Sequence, residues 1–523
     1  MHDGRLTLDE VEAIALGNMA LALSESDRRA VEKAHEFLCD AIERRQLIYG
    51  VTTGYGPLAT THVDPMQSAL LQKNLVYHLC SGVGEPLSRP HVRAMMAARA
   101  ISLVRGHSGA NPALVERLLA WLRADLIPEV PSRGTVGASG DLTPLAHLAR
   151  ALSGEGRVSL KGGEWMESAI AHQQLGWQPL LLQGKDAISL VNGTSTTVGI
   201  AALNATGAQR AIKLSTLLVL LYTELLEGHR EAFHPAIGEL RPHPGQRKLH
   251  QWLWSLSESS QLLTAWQAAL VPLPEMENGI EQHRPLLQDA YTLRCAPQAL
   301  GAVWDVVEQH AQTVRLELNA VTDNPLLFPD NDTVLHGGNF FGQHLAFASD
   351  HLNNALIQMA LYSERRIARV TDPLKSKGLP AFMQPCDTGL HSGFMGAQVT
   401  ATALVAELRS QAIPASIQSI PTNADNQDIV PLGTIAARRA STSIDYLYQI
   451  LAIEALVLVQ GAELKGAHLL SQASQALCAW VRTHAPALEQ DRPLAEDIAR
   501  LSHALSDPGE VASLMALLDP QAC

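Results

Sequence analysis

Residues 134–147 read GTVGASGDLTPLAH, and at their centre Ala138, Ser139 and Gly140 have the side chains that a backbone cyclisation needs. Gly140 has no β-carbon, so its amide nitrogen can be pressed close to the Ala138 carbonyl carbon without a clash. Ser139, once its hydroxyl leaves as water, would become an exocyclic methylene conjugated to the new ring. That group is an electron-poor alkene able to trap an amine. Gly134 and Gly137 let the backbone take the tight path this requires. Thr143 and Pro144 read as the N-cap and first position of a following helix. Its apolar stripe is Leu145, Leu148, Ala149 and Leu152. The positive end of that helix would lie beside the triplet and stabilise electron density pushed onto it. Taken alone, Ala-Ser-Gly is an ordinary loop tripeptide, so the remaining segments must decide.

Residues 47–58, LIYGVTTGYGPL, place Gly50, Gly54 and Gly56 within seven residues, which forbids a regular element. No Lys-Ser/Thr follows, so a phosphate cradle is excluded and a loop presenting Tyr49 and Tyr55 remains. Further segments of turn and mixed chemistry are NLVYHLCSG at 74–82, VNGT at 191–194, QDAYTLRCAPQ at 288–298, HGGNFFGQ at 336–343 and PTNADNQD at 421–428. Arg294 carries a planar fork that meets a carboxylate with two bonds. Each of these has a plain alternative: an amide in a turn, an arginine in a surface pair, an aromatic in a core.

In this order and at these spacings, the segments closely resemble the histidine/phenylalanine/tyrosine ammonia-lyase family, over about residues 6–465. The resemblance implies that Ala138, Ser139 and Gly140 cyclise autocatalytically to 4-methylidene-imidazol-5-one, with no metal or dissociable cofactor. It implies that Tyr49 is the base: the family loop is YGxxTGFG, and here it reads YGVTTGYG, with Tyr55 in place of the usual Phe. It assigns Asn192 to holding ring and substrate, Tyr291 to the reacting centre, Arg294 to the substrate carboxylate and Phe340 to the ring. Gly56, Leu142, Met395 and Asn423 would line the same pocket. His78-Leu79 falls at the pair that varies with substrate. Tyrosine enzymes resemble this His-Leu pair, phenylalanine enzymes tend to Phe-Leu and histidine enzymes to Ser-His. An imidazole can pair with a para-hydroxyl, and a site built for a hydroxyl disfavours the analogue without it. Gln427 stands where histidine-specific members carry glutamate. The implied reaction is loss of ammonia from L-tyrosine to give trans-4-coumarate. Phenylalanine or histidine as substrate, a 2,3-aminomutase on the same scaffold, and a catalytically silent helical scaffold are the alternatives.

The elements that must position these residues are helical. From residue 194 the pattern changes to long helices, at about 196–226, 250–270, 296–318, 343–370, 393–412 and 433–465, well beyond the usual dozen residues. Thr7 with Glu10 forms a capping box before a short helix closed by Gly17, and Ser26 starts the next. Asp64, Pro65 and Gln67 open another, ending at Gly82, and two more cover 91–105 and 112–127. Residues 154–183 read as loops with short strands. The expected class is all-α: an N-terminal, mostly helical domain over 1–195, a long-helix bundle over 196–485 and a tail of short helices over 486–523. Apolar residues are 46 % and charged residues 17 % of 523, sparing enough to favour a homo-oligomer. The resemblance implies a homotetramer with shared active sites. A net charge of −13 with no Lys/Arg run excludes a nucleic-acid role. Six scattered cysteines without CxxC, and an N-terminus without a signal pattern, fit a reduced, cytoplasmic protein. Residues 187–209 and 388–406 are uncharged but rich in Gly, Thr, Asn and Ser, so neither reads as a membrane span.

Overall fold

A computed structural model describes residues 5–265, 276, 279–280 and 288–518. The chain divides into two units. The first comprises residues 1–206, 309–351 and 414–441, and the second 207–308, 352–413 and 442–523.

Helix α1, Leu8–Ala15, opens on the Thr7/Glu10 capping box, in which each side chain satisfies the other residue's backbone N–H. Helix α2, Glu25–Glu43, opens on Ser24 rather than Ser26. Asp27 decides this: it stands at N3 of Ser24 and returns the bond, whereas the Ser26 hydroxyl pairs with that of Ser24. A 3₁₀ turn at Pro65–Gln67, capped by Asp64, leads into α3, Ser68–Leu79. Helices α4, Arg89–Val104, and α5, Pro112–Ala124, follow. Helix α6, Leu142–Leu152, has Asp141 as its N-cap residue, not Thr143. The Thr143 hydroxyl instead donates to the Gly134 carbonyl at 3.1 Å. Pro144 lies inside the first turn, where its missing N–H removes no helical bond. Residues 154–183 hold two short strands and also a helix, α7, Ser168–Gln174. Helix α8, Asp186–Val191, ends at the Asn192-Gly193 turn, and α9, Ser195–Leu225, begins directly after it.

The core of the first unit forms where α4, almost wholly buried, packs with α5, α6, α8 and the start of α9. Met95, Ile101, Leu118, Trp121, Leu148, Leu152, Val191 and Val198 are among its members. Sheets are marginal among the described residues: two two-stranded pairs and one three-stranded antiparallel patch.

In the second unit, α10 is Pro235–Leu240 and α11 is Pro244–Leu256. The helix expected over 250–270 therefore stops at Leu256; its last five residues, 266–270, lie outside the described residues. Helix α12, Tyr291–Arg294, is one turn. The long helices α13, Ala296–Leu318, and α14, Gln343–Val370, have the expected ends, α15 is Met395–Ser410, and α16 is again as expected, Gly433–Lys465. Helices α17, Gln472–His484, α18, Ala495–Ser506, and α19, Ala512–Leu518, complete the described residues. By length and composition α16 could cross a membrane, but 78 % of its apolar window is buried inside the protein, as in a core helix. Within the second unit, Arg366 meets Glu454 and Ser215 in a fully buried polar cluster.

Candidate active site

A cavity of about 950 Å³ opens in the first unit. Its floor is a contact between two backbones. Ser139 adopts a left-handed conformation (φ +57°), unusual for a residue with a side chain, between Gly137 and Gly140, both at φ +79°. Gly140 pairs with Gly193 in a single parallel bridge. The Asp141 N–H donates to the Gly193 carbonyl at 2.7 Å, and the Gly193 N–H donates to the Ser139 carbonyl at 3.3 Å. A β-carbon on Gly140 would lie 2.2–2.6 Å from Gly193 backbone atoms. One on Gly193 would meet Thr322 Oγ1 at 2.6 Å and Arg99 Nη1 at 2.7 Å. Both glycines are thus required by space as well as by conformation.

Asn192 Nδ2 donates to the Ser139 carbonyl oxygen at 2.8 Å, so that oxygen accepts from two neighbouring groups. The other amide atom, Asn192 Oδ1, is buried and has no hydrogen-bond partner among the described residues. Behind the turn, the Asp141 carboxylate accepts from the Thr197 N–H and hydroxyl and from the Thr434 hydroxyl, at 2.7–2.8 Å. Burial pushes its pKa up, against those three donors. Ala138 is buried against Val430, Leu432 and Ala436.

The wall opposite is the tyrosine loop. Thr52 and Thr53 hydroxyls accept from the Ile48 and Gly50 N–H groups and tie the turn down. Tyr49 points into the cavity, and its hydroxyl oxygen accepts from the Gly56 N–H at 2.9 Å. Tyr55 lies edge-on to Tyr49, with its ring over Gly50. Its hydroxyl accepts from Gln72 Nε2 at 3.0 Å, and burial raises its pKa, so it keeps its proton. Gln72 thus accommodates the oxygen that distinguishes Tyr55 from phenylalanine, and also holds the Gly50 carbonyl at 3.1 Å.

Helix α3 contributes Leu71, Asn74, Leu75, His78 and Leu79. His78 Nδ1 lies 3.1 Å from the Asn74 carbonyl, which can only accept, so Nδ1 carries the proton. Leu142, Phe340, Asn423 and Gln427 complete the lining that the sequence singled out. Thr422 donates to Gln427 Oε1 at 2.6 Å, which turns Gln427 Nε2 toward the Ser139 hydroxyl, 3.4 Å away. Asn74, Asn324, Phe341 and Asn426 also line the cavity. Sequence reasoning passed over them because each reads as a plain turn or helix residue.

Tyr291, Arg294 and Met395 are not brought to this cavity; they belong to the second unit. Tyr291 is 70 % exposed, and Arg294 stacks its guanidinium over the Tyr291 ring at 4.6 Å while donating to the Asp289 carbonyl. Met395 is exposed at the start of α15.

A family model for aromatic amino acid lyases matches residues 6–483. The tyrosine ammonia-lyase of Cereibacter sphaeroides is 45 % identical over 96 % of both chains. The histidine ammonia-lyase of Gloeobacter violaceus is 39 % identical, over 96 % of this chain and 94 % of its own. Among solved structures, a tyrosine aminomutase from Streptomyces globisporus aligns at a TM-score of 0.91, with 37 % identity over 98 % of each chain. With this match along nearly its whole length, and with Ser139-Gly140 packed on Asn192-Gly193 beneath Tyr49 and His78, the chain belongs to the aromatic amino acid lyase family.

Proposed function

We propose that this protein eliminates ammonia from L-tyrosine to give trans-4-coumarate. The observation that carries the reading is the pairing, in one cavity, of a doubly held Ser139 carbonyl with Tyr49 and His78. The residues around the turn fit a 4-methylidene-imidazol-5-one made from Ala138, Ser139 and Gly140. Gly140 has no room for a β-carbon, Ser139 already occupies a strained turn, and Asn192 offers beside it a buried Oδ1 that has no partner among the described residues. When formed, that ring supplies an electron-poor alkene that converts the substrate amine into a good leaving group.

The chain's own residues do the rest. Asn192 Nδ2 and the Gly193 N–H hold the Ser139 oxygen where electron density would gather, a fixed dipolar environment of the kind that stabilises developing charge. Tyr49, fixed by Gly56, is the base that takes the β-proton. His78, with its proton on Nδ1, leaves Nε2 free to accept the substrate's para-hydroxyl, and Leu79 and Leu142 pack the ring. Gln427, an amide, offers no charge to a substrate imidazole, which weighs against histidine.

Arg294 would clamp the carboxylate, Tyr291 would stand at the reacting centre and Met395 would line the pocket of a neighbouring copy, in a cytoplasmic homotetramer with shared sites. The exposure of Tyr291, Met395, Leu390, Val399, Ile413, Ile417 and Ile420 supports that reading. A second reading, a tyrosine 2,3-aminomutase, is favoured by the likeness to the Streptomyces enzyme. The test is incubation of purified protein with tyrosine, phenylalanine and histidine separately. The proposal expects near-ultraviolet absorbance of a conjugated acid to rise fastest with tyrosine. Accumulation of β-tyrosine on chromatography would favour the aminomutase, and no turnover of any of the three would reject both.

A further inference from the structure

Arg99 lies within α4, is 0 % exposed, and among the described residues makes a single hydrogen bond, from Nη1 to the Asn192 carbonyl. Its Nε and Nη2 have no partner among the described residues. The two carboxylates whose charge reaches it are already engaged. Asp323 pairs with Lys185 at 2.6 Å and with Ser108, and Asp141 is held by Thr197 and Thr434. A buried guanidinium with no carboxylate bonded to it and two of its nitrogens unpaired is expensive to keep, so its place in the fold calls for a reason. Its one partner supplies that reason. Asn192 and Gly193 are the two residues that hold the Ser139 oxygen, and Arg99 Nη1 also lies 2.7 Å from where a β-carbon on Gly193 would fall.

We propose that Arg99 is a positioning residue for the electrophile. It clamps the Asn192-Gly193 ledge against Ser139-Gly140, and its charge, not bonded directly to any carboxylate among the described residues, stands behind the oxygen on which electron density gathers. The inference rests on the proposed lyase or aminomutase chemistry. In low dielectric such a charge acts at longer range than at a surface. Two consequences follow from one arrangement. Loosening the ledge lowers the fraction of chains in which the Ala-Ser-Gly segment cyclises. In those that do cyclise, loss of the charge lowers kcat more than it changes KM, because the effect falls on developing charge and not on the substrate's resting contacts.

The experiment compares wild type with Arg99→Met, Arg99→Lys and Arg99→Gln. Intact mass gives the cyclised fraction, as loss of two waters, and circular dichroism follows folding. Expected for Arg99→Met is a lower cyclised fraction, with kcat per cyclised subunit down about tenfold or more and KM within about threefold. Arg99→Lys, which keeps the charge, should recover more of that kcat than Arg99→Gln, which keeps only a donor. A folded Arg99→Met that is fully cyclised and has wild-type kcat overturns the proposal. So does equal kcat per cyclised subunit in the Lys and Gln variants, and that comparison decides the matter if the Met variant does not fold. A wild-type protein that retains both waters would instead strike the proposed function.

Discussion

At the floor of the cavity, Ser139 and Gly140 meet Asn192 and Gly193 backbone to backbone, with Arg99, Thr322 and Asp141 buried behind them. At the rim, Tyr49 stands on a loop, His78 on the last turn of α3, and Asn423 and Gln427 on the 421–428 turn. The floor is defined by backbone contacts that leave no room for one extra carbon. The rim is defined by side-chain ends: the Tyr49 hydroxyl, the His78 imidazole and the Asn423 and Gln427 amides. On this account the floor makes the electrophile and the rim chooses what meets it, so substitutions in the two regions should fail in different ways.

The largest effect is expected from Gly140→Ala. Its methyl would fall within 2.6 Å of Gly193 O, C and Cα, so the bridge must open. Cyclisation and turnover should both disappear, as read by intact mass and by product absorbance, in a protein that still melts cooperatively. Tyr49→Phe should leave the cyclised mass unchanged and reduce kcat by about 10²–10⁴-fold, since it removes only the base. If it also blocked cyclisation, the division between floor and rim would be wrong. His78→Phe should lower the tyrosine-over-phenylalanine ratio of kcat/KM by about 10–100-fold, with little loss of total activity. An unchanged ratio would remove the case for tyrosine.

The effect furthest from the chemistry, expected on stability and not on turnover, concerns a buried histidine of the first unit. His310 is buried, with Nε2 3.2 Å from the Ala201 carbonyl, and burial lowers its pKa to about 4. A group whose folded value lies below its unfolded value of about 6.5 contributes stability above pH 6.5 and loses it as pH falls toward 4. The melting midpoint should therefore drop across that window, by the equivalent of up to about 3 kcal/mol. His310→Gln should weaken this dependence without abolishing it, because burial also lowers the pKa of His91 to about 4.

How far the sequence disclosed this arrangement depends on how local each cause is. Helices α13, α14 and α16 could be bounded from periodicity and flanking Gly or turn residues. Helix α11 was overrun because apolar spacing continues past Ser257, where the chain turns. Two serines competed to cap α2, and Asp27 at the right distance from Ser24 settled it. The start of α6 was obscured by tertiary bonds, since the Asp141 carboxylate is engaged by Thr197 and Thr434, 56 and 293 residues away, and leaves the cap to the backbone. Arg99 was unreadable for the same reason: its partner lies 93 residues along the chain. The segments around Tyr49, His78, Ser139, Asn192, Phe340 and Gln427 carried enough side-chain chemistry to be singled out, and they line one cavity. Tyr291, Arg294 and Met395 could be singled out by type, but not their location, because residue type carries no record of which unit holds it.

The central claim is that three consecutive residues close on themselves. The most direct measurement is the mass of the purified chain, and of the peptide spanning Ala138–Gly140, beside an Ser139→Ala control. The account predicts a native mass lower than the sequence by two waters, a control without that loss, and turnover confined to the first. A native protein that deaminates tyrosine while retaining both waters would contradict it.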